Sequence, residues 1–339
     1  MTSQNPTRVQ PVEEKETDAT IAVVAIGRNE GNRLIRCLES VRKADLLVYV
    51  DSGSSDGSPT RARALEAEVV ILSTDIPFTA ARARNSGFCR AMEICDSLDF
   101  IQFVDGDCEV CPGWLGRAAD YLRSSPSVAA VCGRRRERFP DQSIYNELCD
   151  IEWEVSPGEA RYFGGDVMIR AVALAAVGGY RDSLIAGEEP ELAVRLRQAG
   201  WSLQVLPGDM TLHDASMTRF SQWWQRMRRS GYAYAAGAWI HGRSPERHWV
   251  WKAAQGWIWV PLPMFLVVAS VPFLGFGSLL ILAIYPLQML RLYTKLNGSR
   301  RSRFLQSWAM TLVRFPEFQG QLQFLRDLFM GRSELIEYK

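Results

Sequence analysis

The sequence is short of several features that would settle its class at once. Net charge is nearly absent, with 39 Lys and Arg against 38 Asp and Glu, so no global field draws nucleic acid and nucleic acid is not an expected partner. Histidine is scarce, with 3 in 339 residues. The 7 cysteines are an odd number spread through a long chain, which fits reduced thiols in a cytosolic compartment better than a disulfide framework. Cys108-Glu109-Val110-Cys111 has redox or zinc spacing, but no second Cys or His pair completes a tetrahedral site. No Gly-x-Gly-x-x-Gly run opens a helix after an N-terminal strand, which removes the dinucleotide fingerprint. Met1 to Thr20 is polar and mixed in charge, without the apolar run of a secretory signal. A flexible tail over residues 1–19 is expected, with the N-terminal part staying on the side where it was made. There is no Pro- or Ser-rich linker and no internal repeat.

What is present is a sizeable core, with 47% hydrophobic residues, and a repeating pattern. Ile21 to Ile26 is a short apolar, β-branched run that stops at Gly27, as a buried parallel strand does. Glu30 to Arg42 spaces Leu34, Ile35, Leu38 and Val41 at helical intervals, and Leu46 to Val50 returns to strand character. The cycle repeats with a helix near Pro59 to Glu66, a strand at Glu68 to Leu72, a helix near Ala80 to Cys95 and a strand at Phe100 to Val104. Strand character is also expected at Val128 to Cys132, Phe163 to Arg170 and Ser202 to Leu206, and a helix at Glu189 to Ala199. Such alternation predicts an α/β fold, a mainly parallel sheet flanked by helices, over residues 20–240.

Ligands of open sheets sit beyond the carboxyl ends of the strands, and here those loops are the polar ones. Strand one ends in Gly27-Arg28-Asn29-Glu30, strand two in Asp51 to Asp56, and the strand at Phe100 in Asp105-Gly106-Asp107. Two carboxylates separated by one glycine suit a hard divalent ion that also binds phosphate; a solvated turn accounts equally well for the same residues. Glu188-Glu189 opens a predicted helix, where carboxylates are favoured by the dipole alone or could supply a general base and its partner.

These segments together resemble family 2 glycosyltransferases of the GT-A fold, over roughly Thr20 to Ala236. The resemblance is carried in order by Ile26-Gly27-Arg28-Asn29-Glu30, Val50 to Gly57, Ala81 to Gly87, Asp105-Gly106-Asp107 and Gly187 to Leu192. It implies that a UDP- or GDP-sugar donor is held by Ile26, Arg28, Glu30, Asp51, Arg84, Asp105 and Gly106. Asp51 would accept from the base, and Arg84 would match phosphate oxygens. It implies Mn²⁺ or Mg²⁺ at Asp107, Asp105 and His213, and Glu189 as the base of an inverting transfer with Glu188 as the alternative. Gly27 and Ser52 depart from the commoner family residues without removing a required charge. Gly164-Gly165-Asp166 reads as a strand bulge or as a place where a sugar acceptor approaches the backbone; the resemblance implies the second. Trp223, Arg226 and Arg229, in the aromatic and basic run Phe220 to Tyr234, are the other acceptor-side candidates, placed either at phosphate or at a bilayer surface.

Apolar character is concentrated late. No charged residue lies between Lys252 and Arg291, and residues 257–290 exceed the roughly 20 needed for one span while carrying four prolines. Basic residues flank both ends, so both are expected in the cytoplasm, joined by a hairpin that turns near Pro272 to Gly277. Two spans, a re-entrant hairpin and a helical pair packed on the catalytic domain all remain open. Residues 241–339 are expected to form this membrane-associated region, ending in amphipathic helices, with the catalytic domain on the cytoplasmic face of the inner membrane. The leading expectation is metal-dependent sugar transfer to a lipid-linked or polysaccharide acceptor. A non-catalytic membrane scaffold that retains the fold is the alternative, and a Rossmann-type oxidoreductase the weaker one.

Overall fold

The computed structural model describes residues 19–331; the expected tail, all but its last residue, and the end of the expected amphipathic region at 332–339 lie outside the described residues. Among the described residues nine strands form one mixed sheet: β1 (Ile21–Gly27), β2 (Leu46–Asp51), β3 (Glu68–Ile71), β4 (Phe100–Asp105), β5 (Cys108–Val110), β6 (Val128–Glu137), β7 (Gly158–Glu159), β8 (Val167–Arg170) and β9 (Ser202–His213). Their order is β3-β2-β1-β4-β8-β6-β9-β5, with β7 on β9. The block β3-β2-β1-β4 is parallel, and β8 is antiparallel to both β4 and β6.

β1 reads IAVVAIG and its first six residues are buried, because parallel strands are covered on both faces and need no polar alternation. One cover is the helix Ala80–Ile94, capped by Thr79, whose hydroxyl accepts from the Arg82 amide at 3.1 Å. It lies on β1 at Gly87, where an added Cβ would stand 2.3 Å from Cγ1 of Val24. Across the strand ends Gly27 pairs with Asp51 and Ile26 with Asp105, so three polar loops leave the sheet side by side.

Three expected strand boundaries differ, the first being the one at Val128 to Cys132, which runs on to Glu137. The strand expected over 163–170 begins only at Val167, so Gly164, Gly165 and Asp166 form the loop entering β8 rather than a bulge within it. The strand expected to stop at Leu206 runs to His213. Pro207 and Gly208 do not end it, because the register against β6 shifts there and Gly208 absorbs the irregularity at φ +96°.

Beyond β9 the helix Phe220–His241 packs on the helix Arg314–Met330, and its Trp223 and Met227 join Cys149, Ala215 and Met217 in an apolar cluster. Their backbones meet at two glycines: a Cβ on Gly231 would lie 1.9 Å from the Glu317 carbonyl, and one on Gly320 would lie 1.9 Å from the Arg228 carbonyl. Between them come the helices Val250–Trp259 and Pro261–Leu274, a tight 3-10 stretch Gly275–Ala283, and the helices Ile284–Lys295 and Arg300–Leu312. Val250–Lys295 is long and apolar enough to cross a membrane by length and composition. The chain reverses at Gly275 (φ +52°), and the Tyr285 hydroxyl donates to the Trp259 carbonyl at 2.8 Å.

Candidate active site

A cavity of about 980 Å³ opens beyond the ends of β1 and β4. Its walls include Ile26, Arg28, Glu30, Asp105, Gly106 and Asp107 from the first half. Gly164, Gly165, Asp166, Glu188, Glu189 and His213 come from the second half, with Arg226 and Arg229 from the helix Phe220–His241. The fold therefore joins residues up to 223 positions apart, Ile26 to Trp249, in one space.

Two expected residues lie elsewhere. Asp51 is 1% exposed and does not line the cavity. Its carboxylate accepts from the Tyr49 hydroxyl at 2.9 Å and from the amides of Gly53 and Ser54 at 3.0 and 2.8 Å, which shapes the loop behind the lining residue Ser52. Trp223 is 3% exposed and stacks on Trp308 and Phe220 in a local apolar cluster; the composition of the run Phe220 to Tyr234 does not tell which of its side chains face the cavity.

Arg84 also differs from the expected phosphate fork. It is fully enclosed, and its guanidinium donates to Glu188 at 2.9 Å and to Asp105 at 3.0 Å, with Glu189 at 3.2 Å. Burial alone would lower its pKa; Glu189, Asp105 and Glu188 outweigh that and hold it above the ordinary arginine range. Arg135, which sequence reasoning missed, closes the same network from β6: it lies 3.2 Å from Asp105 and 2.8 Å from Asp166. Three consecutive arginines in β6 carry no local signal of direction, and only the strand order turns this one inward. Asp166 in turn accepts from the Asp105 amide at 3.0 Å and the Thr211 hydroxyl at 2.6 Å. Two guanidiniums thus meet four carboxylates, Asp105, Asp166, Glu188 and Glu189, and the excess is negative.

The helix Glu188–Gln198 starts after Gly187 at φ +82°, so its first two side chains project into the cavity with the positive end of the dipole behind them. Glu189 is mostly buried. Burial first, and then the adjacent Glu188, push its pKa up to about 7, against the pull of Arg84. A carboxyl that ionises near neutral pH is suited to accept a proton.

His213 and Asp107 form the other pole. Nε2 of His213 stands 3.3 Å from Oδ2 of Asp107, and Nδ1 stands 3.4 Å from Oε2 of Glu137. Burial lowers the His213 pKa, with Glu137 opposing, so the ring is neutral at neutral pH. With Nδ1–H directed at Glu137, the Nε2 lone pair faces a carboxylate oxygen, an arrangement that a cation between the two atoms would reconcile. Glu137, buried and itself held by the amides of Ala215 and Phe139, is a second residue that sequence reasoning missed; 76 positions separate it from His213. The Asp105 oxygens do not share this point. They group with Asp166 and Cys108, whereas Asp107 and His213 group separately with Cys108. Burial holds the Cys108 thiol well above its ordinary pKa, which makes it a poor ligand.

A mainly parallel sheet with helices on both faces, an aspartate pair at the end of a central strand and a carboxylate-headed helix across one cavity define a protein of the GT-A fold. Residues 22–166 match the family model described as Glycosyl transferase family 2. It is 24% identical over 238 residues to the pre-mycofactocin glycosyltransferase of Mycobacterium tuberculosis, strains CDC 1551 and H37Rv, a match over 67% of this chain and 48% of the relative. The chain spans about half the length of these curated relatives. The mannosyltransferase PcManGT from Pyrobaculum calidifontis, solved in complex with GDP-Man and Mn²⁺, superposes with a TM-score of 0.59 at 16% identity, over 93% of this chain and 91% of that one. The glucosyl-3-phosphoglycerate synthase of M. tuberculosis, solved with Mn²⁺ and UDP-glucose, gives a TM-score of 0.47 at 18% identity, over 65% and 79%.

Proposed function

We propose that the chain moves a sugar from a UDP- or GDP-sugar to a lipid-linked or glycan acceptor, with inversion, using Mn²⁺ or Mg²⁺. The observation that supports this most is the meeting of Asp107 and His213 with Glu189 in one cavity, tied together by the Asp105–Arg84–Glu188 chain of ion pairs. Carboxylate plus neutral imidazole is a donor set that fits Mn²⁺, and the surplus of negative charge nearby favours any divalent cation. A divalent ion bound at Asp107 and His213 would offset the charge of a departing diphosphate.

The protein's own groups supply the rest. Glu189, ionised above about pH 7, takes the proton of the acceptor hydroxyl, and a single carboxylate base fits one displacement with inversion. Arg84 holds Glu189 and Asp105 in fixed relation, so the base and the donor side move as one unit. Arg28, Arg226 and Arg229 line the same cavity and offer cationic partners for phosphate oxygens. Ala233, Tyr234 and Trp249 complete its wall, and Trp249 immediately precedes the helix that leads into the apolar hairpin. A cavity so joined suits an acceptor presented by a membrane, and the basic flanks of the hairpin favour the cytoplasmic face.

The test is release of UDP or GDP from a panel of nucleotide sugars with and without Mn²⁺, run beside thermal shifts on the wild type and on Asp107→Ala. Metal-dependent release by the wild type is expected. Full metal-dependent donor binding by Asp107→Ala would remove the metal assignment, and a folded wild type that neither binds nor cleaves any donor would leave the scaffold reading.

A further inference from the structure

We propose that the segment between Trp259 and Tyr285 enters one leaflet of an anionic bilayer from the side of the catalytic cavity and returns without crossing; this rests on the membrane association in the reading above. Four positions after Trp259 stands Pro263, which has no N–H to give the Trp259 carbonyl, and Tyr285, 26 positions after Trp259, donates its hydroxyl to that oxygen. In hydrocarbon a freed backbone carbonyl needs such a partner. The contact also fixes the depth of the loop, because the two arms begin and end at one level.

The outgoing arm Pro261–Leu274 has 14 residues, about 21 Å at helical rise. The returning stretch Gly275–Ala283 has 9 residues, about 18 Å at 3-10 rise. A hydrocarbon core is about 30 Å thick, so both arms pass the depth of one leaflet and neither reaches the far headgroups. The tip is apolar and uncovered: Phe273 is 86% exposed, Phe276 94% and Leu280 78%, an arrangement that water does not tolerate.

Both ends return to the catalytic domain. The helix Val250–Trp259 packs on Phe220–His241, and the helix Arg300–Leu312 packs on Ile144–Glu152, where Arg301 pairs with Glu147 at 2.8 Å. At the base stand Trp251 and Trp257, both exposed, with Lys252, Arg291, Lys295 and Arg300. No aspartate or glutamate occurs between Glu246 and Glu317. A basic collar under an aromatic one matches anionic headgroups.

The test places a fluorescent probe at the tip of the full chain through Gly277→Cys, where an added Cβ meets nothing nearer than 3.8 Å. The accessible thiols Cys89, Cys95 and Cys111 are first changed to serine, and that parent serves as the labelling and folding control. The labelled protein is added to phosphatidylcholine vesicles with or without phosphatidylserine. Binding is expected to weaken at least about tenfold without phosphatidylserine. Nitroxides deep in the acyl chains should quench the probe, and an impermeant quencher trapped inside the vesicles should not. Quenching by the trapped reagent would establish a span and overturn the single-leaflet proposal alone. Failure of the parent and the labelled protein to bind either vesicle would overturn it together with the membrane association.

Discussion

Gly165 stands where Arg84 leaves no room for a side chain: a methyl group there would lie 2.6 Å from Nη2 of Arg84 and 2.8 Å from Oδ2 of Asp105. Arg84 is buried and held by carboxylates from two elements, so it has little freedom to withdraw. Gly165→Ala is expected to push the Arg84–Asp105 pair apart while leaving the sheet intact. Displacements of about 1 Å at a reacting centre cost on the order of 100-fold, so steady-state kinetics should show kcat/KM reduced by about that factor, with a circular-dichroism melt near that of the wild type.

Arg84 itself compensates three carboxylates. Its replacement by Met leaves Glu188, Glu189 and Asp105 facing one another in a dry site, and breaking a buried ion pair by removing one partner costs about 3–5 kcal/mol. Denaturant titration should register that loss. The kinetic pKa of any residual activity should rise, because Arg84 now pulls Glu189 down.

The raised pKa of Glu189 sets a pH profile. Its proton must leave before it can act as a base, so kcat/KM should climb as pH rises through about 7 and level off above it. Glu189→Gln should lose at least about 100-fold in rate and lose that ascending limb. A variant that kept the limb would assign it to another group, with Glu188 first in line.

Glu137 acts on His213 from behind. Removing such an outer partner of a metal-binding imidazole commonly weakens metal affinity by about 10–100-fold. Glu137→Gln is therefore expected to raise the Mn²⁺ concentration needed for half-maximal donor binding by that factor, whereas the saturated signal is retained.

The Gly231–Gly320 crossing joins the helix that lines the cavity to the last described helix. A methyl at either position meets backbone at 1.9 Å, and backbone cannot swing aside as a side chain can. Gly231→Ala and Gly320→Ala should each destabilise by about 3 kcal/mol or more, seen as a lower melting midpoint, and the double variant should cost less than the sum because both act on one contact.

Much of the scaffold was legible without coordinates. The β-branched run at Ile21, the helical spacing after Glu30 and the carboxylates at Asp105 and Asp107 are local signals, set by strand pleat, helix period and turn chemistry over a few residues. They gave the alternating sheet and the polar strand ends, and with the family resemblance they gathered nearly all of the cavity's acidic residues. Direction is what a local signal cannot carry. Asp51 follows its strand as expected, but its own loop amides and Tyr49 outcompete the cavity for its oxygens. Trp223 obeys helix period, but which face of that helix meets the cavity depends on Trp308 and Phe220.

The sequence by itself determined the parallel block β3-β2-β1-β4, the loops that carry chemistry and the apolar segment, because each follows from spacing and burial within a short stretch. Only the tertiary structure decided that Arg84 serves carboxylates, that Arg135 and Glu137 belong to the site, and that Tyr285 returns to Trp259. Each of those rests on strand order or on the packing of distant helices, where partners are brought together by the burial of other residues, and a linear pattern holds no record of who will be the neighbour.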